Sequence, residues 1–149
     1  MNPLRCLARA GRLMPIALLA VLPFLPHPAA ADGAVAVGVP ASVTQSGYAY
    51  GRTTNSPAAA VASEHALNNC RTAKDATQEA KDLCIVVMTF KNQCIALALD
   101  PKAGTPGAGW AVAPTKDAAE MQAMAQCIGT AGSDRRNFCT ISDSACDGQ

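Results

Sequence analysis

The residues of this 149-residue chain with the most chemistry to offer are its seven cysteines. Cys6 stands alone near the N-terminus, and Cys70, Cys84, Cys94, Cys127, Cys139 and Cys146 follow far downstream. A cysteine can serve as nucleophile, metal ligand or half of a disulfide, and spacing separates these roles. No two of the six form the Cys-x-x-Cys pair of redox motifs and zinc knuckles. Their even number predicts complete pairing, which leaves no activated thiolate and no tetrahedral thiolate zinc site.

The other reactive side chains are sparse. Beyond residue 31 the only histidine is His65. A general-base role would need Glu64 or Glu120 to orient it and Ser63 or Ser56 to receive its action. A mid-helix place beside a stripe of alanines explains His65 without chemistry. Asp75, Glu79 and Asp82 could act as paired carboxylates, but they alternate with Lys74 and Lys81 as on a solvated surface. The acids from Asp143 to Asp147 lack calcium-loop spacing, and Gly104 to Gly109 is followed by a strand pattern, unlike a nucleotide loop. The expectation is therefore no catalytic set, no metal site and no cofactor. Tyr48, Tyr50 and Trp110 remain as a possible binding surface, since such rings often anchor contacts. For Trp110 the favoured reading is that it fills a core short of large side chains. The loop Asp100 to Gly109 is the best candidate contact element.

What must position these residues begins after a leader. Arg5, Arg9 and Arg12 precede an apolar run, Leu13 to Leu25, and Ala29 to Ala31 supply small residues before Asp32. This predicts a signal peptide over residues 1–31, cleaved after Ala31, and hence a periplasmic or secreted protein. Four prolines between Pro15 and Pro28 argue against a retained transmembrane helix, so no stable membrane anchor is expected after cleavage. Removing the leader takes Cys6 with it. Residues 32–149 then carry nine Lys/Arg and eleven Asp/Glu, a formal charge of −2. That balance lacks the basic footprint of a nucleic-acid binder.

Along the mature chain, residues 32–46 read as a flexible N-terminal segment, because Gly33, Gly38 and Pro40 weaken any strand there. Tyr48 to Tyr50 reads as a short strand. Ser56 as N-cap and Pro57 at the first position then predict a helix with Ala59, Ala62, Ala66 and Cys70 on one face. Cys84 to Phe90 and Cys94 to Leu99 read as the arms of an antiparallel hairpin around Lys91–Gln93. Trp110 to Val112 is another short strand.

An offset of 57 places Pro57 over Pro114, Ala62 over Ala119, Ala66 over Ala123 and Cys70 over Cys127, with Cys84 falling near Cys139. This predicts an α+β domain over residues 47–149, a tandem β-α-β repeat with a short antiparallel hairpin, stapled by disulfides. Six cysteines allow fifteen pairings. The repeat favours Cys70–Cys84 and Cys127–Cys139 as equivalent bridges, leaving Cys94 and Cys146 to join the halves.

Together these residues resemble a known pattern. A helix with Ala62 to Cys70 follows glycine and aromatic residues; then come Cys84-Ile-Val-Val, Asn92-Gln-Cys94, Gly107 to Trp110 and a second helix, Ala119 to Cys127. The chain is similar to the small secreted bacterial proteins of domain-of-unknown-function family 4189 over residues 47–146. The resemblance implies an exported, cysteine-containing fold and no defined activity. The polar end, Thr140 to Ser144, departs from the Val-rich strand it would lead one to expect.

Function is accordingly expected to be that of an exported, non-enzymatic binding protein of inhibitor, immunity or effector type with a protein partner. A small hydrolase of cell-wall or extracellular polymer using carboxylates is the first alternative, and a structural or stress-related envelope protein the second.

Overall fold

The structure, a computed structural model, describes residues 32–148 except Ala103. The leader expected over residues 1–31 lies outside the described residues. Eleven elements follow in order: β1 (Asp32–Gly38), α1 (Val43–Ser46), β2 (Ala49–Ser56), α2 (Ala59–Arg71), α3 (Gln78–Asp82), β3 (Ile85–Lys91), β4 (Cys94–Leu99), β5 (Ala108–Ala113), α4 (Lys116–Thr130), a 3-10 turn (Arg136–Phe138) and β6 (Thr140–Cys146).

The strands form two antiparallel three-stranded sheets, β2-β1-β3 and β5-β4-β6. Each sheet carries a β-α-β unit, β2-α2-β3 or β5-α4-β6, wrapped around a central strand that comes first in sequence. The α+β tandem repeat stapled by disulfides is thus the architecture of the protein. Both edge ladders β1–β3 and β4–β6 contain a register shift at the equivalent place, between Val35 and Ala36 and between Leu97 and Ala98.

Strand alternation sorts the side chains into layers. Ala34, Ala36 and Ala49 meet Ala62, Ala66 and Cys70 of α2 in one core cluster. Ala96, Ala98, Ala111 and Ala113 meet Ala119, Ala123 and Cys127 of α4 in another. The opposite faces hold the larger residues. Val35, Val37, Phe90 and Ile95 form a third cluster, with Tyr50, Trp110, Val112 and Ala145 packed against it, and this joins the sheets. The order of layers is helix, sheet, sheet, helix.

The small residues under the helices are a geometric requirement. A Cβ on Gly51 would lie 2.2 Å from the Cys70 nitrogen and 2.3 Å from the Ala66 oxygen. One on Gly109 would lie 2.3 Å from the Ala123 oxygen. Each helix therefore rests its backbone directly on β2 or β5.

Three features of the secondary structure depart from the sequence reading. Residues 32–46 are not a flexible segment: Asp32–Gly38 is the buried central strand of the first sheet. The glycines that weakened it as a strand are needed for close approach, since a Cβ on Gly33 would strike the Phe90 ring at 2.3 Å and one on Gly38 the Ala80 oxygen at 1.9 Å. The hairpin expected between Cys84–Phe90 and Cys94–Leu99 does not form, because β3 and β4 belong to different sheets. Cys94 to Leu99 is buried on both faces and pairs antiparallel with β5 on one edge and β6 on the other. Asn92, with φ 51°, turns the chain between the sheets. Finally, α2 starts at Ala59 with Ala58 at its cap, two residues past the expected Pro57; Ser56 instead ends β2.

The bridges are Cys70–Cys84, Cys94–Cys146 and Cys127–Cys139. The first and third tie a helix end to the start of the next strand across Cα separations of 6.0 Å. Cys94 and Cys146 do not join the halves as expected. They face each other across β4 and β6 within the second sheet, 3.9 Å apart at Cα.

Candidate functional site

The segment leading into β2 is pinned from one side. Thr77, whose side chain caps α3 by accepting from the Ala80 N–H, donates its hydroxyl to the Ser46 carbonyl at 2.7 Å. Ser46 in turn donates its side-chain hydroxyl to Glu79 at 2.6 Å. Gly47, at φ 65°, makes the turn that delivers Tyr48 and Tyr50. These contacts hold residues 45–50 beside the turn at 73–77.

Between them and the second sheet lies a cleft of about 470 Å³. Tyr48, Tyr50, Leu97 and Leu99 give it an apolar wall, and Lys74, Asp75 and Thr77 a polar rim. Gly104, from the loop after β4, lies at its border. Burial pushes both tyrosine hydroxyls well above the ordinary phenol value, and the Asp143 carboxylate adds to the rise at Tyr50. Both therefore stay neutral hydrogen-bonding groups at physiological pH. The Tyr50 hydroxyl is buried and makes no hydrogen bond to another described residue.

The loop that borders the cleft is anchored at its base. Arg135 holds the buried Asp100 carboxylate through two hydrogen bonds, at 2.7 and 2.6 Å, while its guanidinium lies 4.0 Å from the Phe138 ring centroid. The Arg135 bonds, with the Lys102 N–H assisting, hold the Asp100 carboxyl down to about 2. Across the two sheets, Arg52 of β2 grips both oxygens of Asp143 in β6. The carboxylate of Asp147, itself buried, accepts from the Asn55 and Asn92 N–H groups at 2.7 and 3.0 Å.

The structure brings together two of the three aromatic residues picked from the sequence. Tyr48 and Tyr50 share the cleft, whereas Trp110 sits on β5 against the cluster between the sheets. His65 is exposed on α2 and has no hydrogen bond to Ser63 or Ser56 among the described residues. Of the acids considered for catalysis, Asp75 alone lines the cleft; Glu79 is bound by Ser46, Asp82 by Gln78, and Glu120 by Ser144. No group of three or more potential metal ligands occurs among the described residues. No described helix is long and apolar enough to cross a membrane.

Sequence reading missed Leu97 and Leu99 as members of the site. Their signal was present: large Ile95, Leu97 and Leu99 alternate with small Cys94, Ala96 and Ala98, which marks two different buried faces of one strand. Ser46 and Thr77 had no such signal, because a contact spanning 31 residues between two polar turns leaves no local pattern.

No curated protein and no solved structure matches the chain. A family match does, beginning at the central strand of the first sheet and ending at the last disulfide: residues 33–146 match the family described as Domain of unknown function (DUF4189), and the protein belongs to that family.

Proposed function

We propose that the mature chain is an exported binding protein that contacts a partner protein through the cleft between its two sheets. The observation that carries this reading is the composition of that cleft. Two tyrosines and two leucines form one wall, and a lysine, an aspartate and a threonine form its rim. Apolar and aromatic anchors within a polar margin are the pattern of protein recognition sites. Export follows from the leader-like residues 1–31 and suits a fold that depends on three disulfides. Of the acids that the alternative reading, a carboxylate hydrolase, would use, Asp75 lines the cleft.

The test is capture from envelope and culture-supernatant fractions, followed by hydrogen exchange on the complex. The expected result is a stoichiometric partner that protects residues 45–50 and 73–77 and is lost on Tyr48→Ala or Lys74→Glu. A partner unaffected by both substitutions, or protection lying elsewhere, would overturn the reading.

A further inference from the structure

The outer edges of β2 and β5 hold equivalent places in the repeat, but helix side chains close only one of them. On β5, the Trp110 N–H donates to the Gln126 side chain at 3.3 Å, and the Ala108 N–H donates to the Thr130 hydroxyl at 3.0 Å. The same hydroxyl lies 2.8 Å from the Ala108 carbonyl as its donor. On β2, Asn69 stands where Gln126 does and donates to the Arg52 carbonyl at 2.8 Å. Outward-facing residues of an antiparallel edge recur every second position, so Tyr50 turns its N–H and carbonyl to the same edge as Arg52. Tyr50 pairs with Val37 as Ala108 pairs with Leu99, and is thus the counterpart of Ala108. Ala73, however, takes the place of Thr130, and α2 stops at Arg71, two residues short of the equivalent end of α4. Among the described residues, no group replaces that hydroxyl at the Tyr50 N–H and carbonyl. The open pair gives onto the cleft, which Tyr50 and Ala73 line together with Leu97 and Leu99. The cleft therefore runs across the edge of β2, from the helix layer on one side to the facing sheet on the other.

We propose that the cleft takes its partner as a short extended peptide segment laid along the edge of β2, with its main chain paired to the Tyr50 N–H and carbonyl; this rests on the reading of the cleft as a partner site. The second half of the molecule shows what the position accepts, a group that both receives and donates a hydrogen bond. A peptide residue in a strand presents its carbonyl and N–H side by side and meets both needs at once. Successive side chains of the added strand point to opposite faces, one toward Leu97 and Leu99 and the next toward Ala73. Main-chain bonds then supply affinity, and the apolar wall selects the side chain. Lys74 and Asp75 on the rim are of opposite sign, and neither is in an ion pair among the described residues. The segment that complements this rim is apolar and carries no net charge. Asn69, held on the Arg52 carbonyl, ends the open edge and limits the segment's length.

The experiment selects binders to the disulfide-bonded mature chain from a pool of random hexapeptides blocked at both ends, and follows amide exchange by NMR. In the free protein the Tyr50 N–H is expected to exchange with solvent faster than the Ala108 N–H, and a selected peptide is expected to protect it. Methylating the peptide nitrogen that faces Tyr50 should weaken binding roughly tenfold, because one main-chain hydrogen bond is lost and its acceptor is left unmet. Methylating the next nitrogen, which points away from the edge, should leave binding unchanged. A pool without binders, a peptide indifferent to methylation at every position, or a bound peptide that leaves the Tyr50 N–H unprotected would each overturn the proposal. If binding indifferent to methylation is still lost on Tyr48→Ala, the cleft remains a partner site and only the strand pairing falls.

Discussion

The two halves of the molecule are the same β-β-α-β unit, yet they agree in one layer and differ in the others. Where helix meets sheet, they coincide: Ala34 and Ala36 match Ala96 and Ala98, Gly51 matches Gly109, and Ala62, Ala66 and Cys70 match Ala119, Ala123 and Cys127. Between the sheets they are complementary. Gly33 faces Phe90 in the first ladder, and Ile95 faces Ala145 at the same place in the second, so small and large exchange strands. Such an exchange lets two opposed faces interlock, which two identical faces of large residues could not do. At the ladder end, Asp32 and Lys91 face each other in the first half with charged atoms 3.8 Å apart, where Cys94 and Cys146 are bonded in the second. The difference teaches that close packing of helix on sheet fixes sequence, while the outer and inter-sheet positions are free to acquire separate roles.

The largest effect expected from breaking this comparison lies at that ladder end. Cys94–Cys146 closes a 52-residue separation, and loop-closure entropy gives such a bridge about 4 kcal/mol. The pair Cys94→Ala and Cys146→Ala should lose about that amount in urea unfolding. Removing the exposed ion pair by Asp32→Asn and Lys91→Gln should lose at most about 1 kcal/mol. Equal losses would mean that the two ladder ends are equivalent supports, against the expectation from their chemistry.

Next come the glycines beneath the helices. Gly51→Ala and Gly109→Ala should each destabilise by about 3 kcal/mol, because the added methyl meets helix backbone that cannot rotate away. The two losses should agree within about 1 kcal/mol if the halves share this layer. Thermal or urea unfolding of the two variants side by side decides it.

The parts of the fold legible in the sequence are those tied to the helix–sheet layer. The alanine and cysteine spacing of α2 and α4 showed both helices and the repeat, and the repeat led to the two equivalent bridges. Strand β1 was hidden by its own adaptation: Gly33 and Gly38 lower strand propensity, and their purpose depends on Phe90 and Ala80, tens of residues away. The assignment of β3 and β4 to different sheets was hidden for a related reason. Two apolar runs around a three-residue turn give the same pattern whether they pair or part, and the separating contact, Asp147 on the Asn92 N–H, comes from the far end of the chain. Of the candidate site, the tyrosines were visible as aromatic residues, but their leucine neighbours come from the other sheet.

A smaller difference concerns the loops after the central strands. The second half anchors its loop through Asp100 and Arg135, while the first half has Gly38 where Asp100 stands. Because the pair lowers the Asp100 carboxyl from an ordinary 3.8 to about 2, the folded state binds its proton less tightly than the unfolded chain. The contribution is therefore complete above about pH 4 and drains as pH falls toward 2. The melting temperature of the wild type should decline through that window, and Asp100→Asn should show a shallower decline from a lower starting value. Identical slopes would show that other carboxylates govern acid unfolding.

The smallest expected effect tests what holds the halves to each other. Arg52 corresponds in the repeat to Trp110, and Asp143 to Met88, so the ion pair between Arg52 and Asp143 has no ionic counterpart across the pseudo-two-fold. Both side chains are about one-third exposed, which limits a pair of this kind to about 1 kcal/mol even with two hydrogen bonds. A double-mutant cycle with Arg52→Ala and Asp143→Ala should give a coupling of that size, and 1 M salt should reduce it. If the coupling is zero while Phe90→Ala costs about 3 kcal/mol, the halves are joined by their apolar layer alone. The ion pair would then only select how the two sheets are oriented. A coupling well above 1 kcal/mol would reverse that ranking and make the polar contact a main support of the cleft, since Tyr50 is two residues from Arg52 on β2.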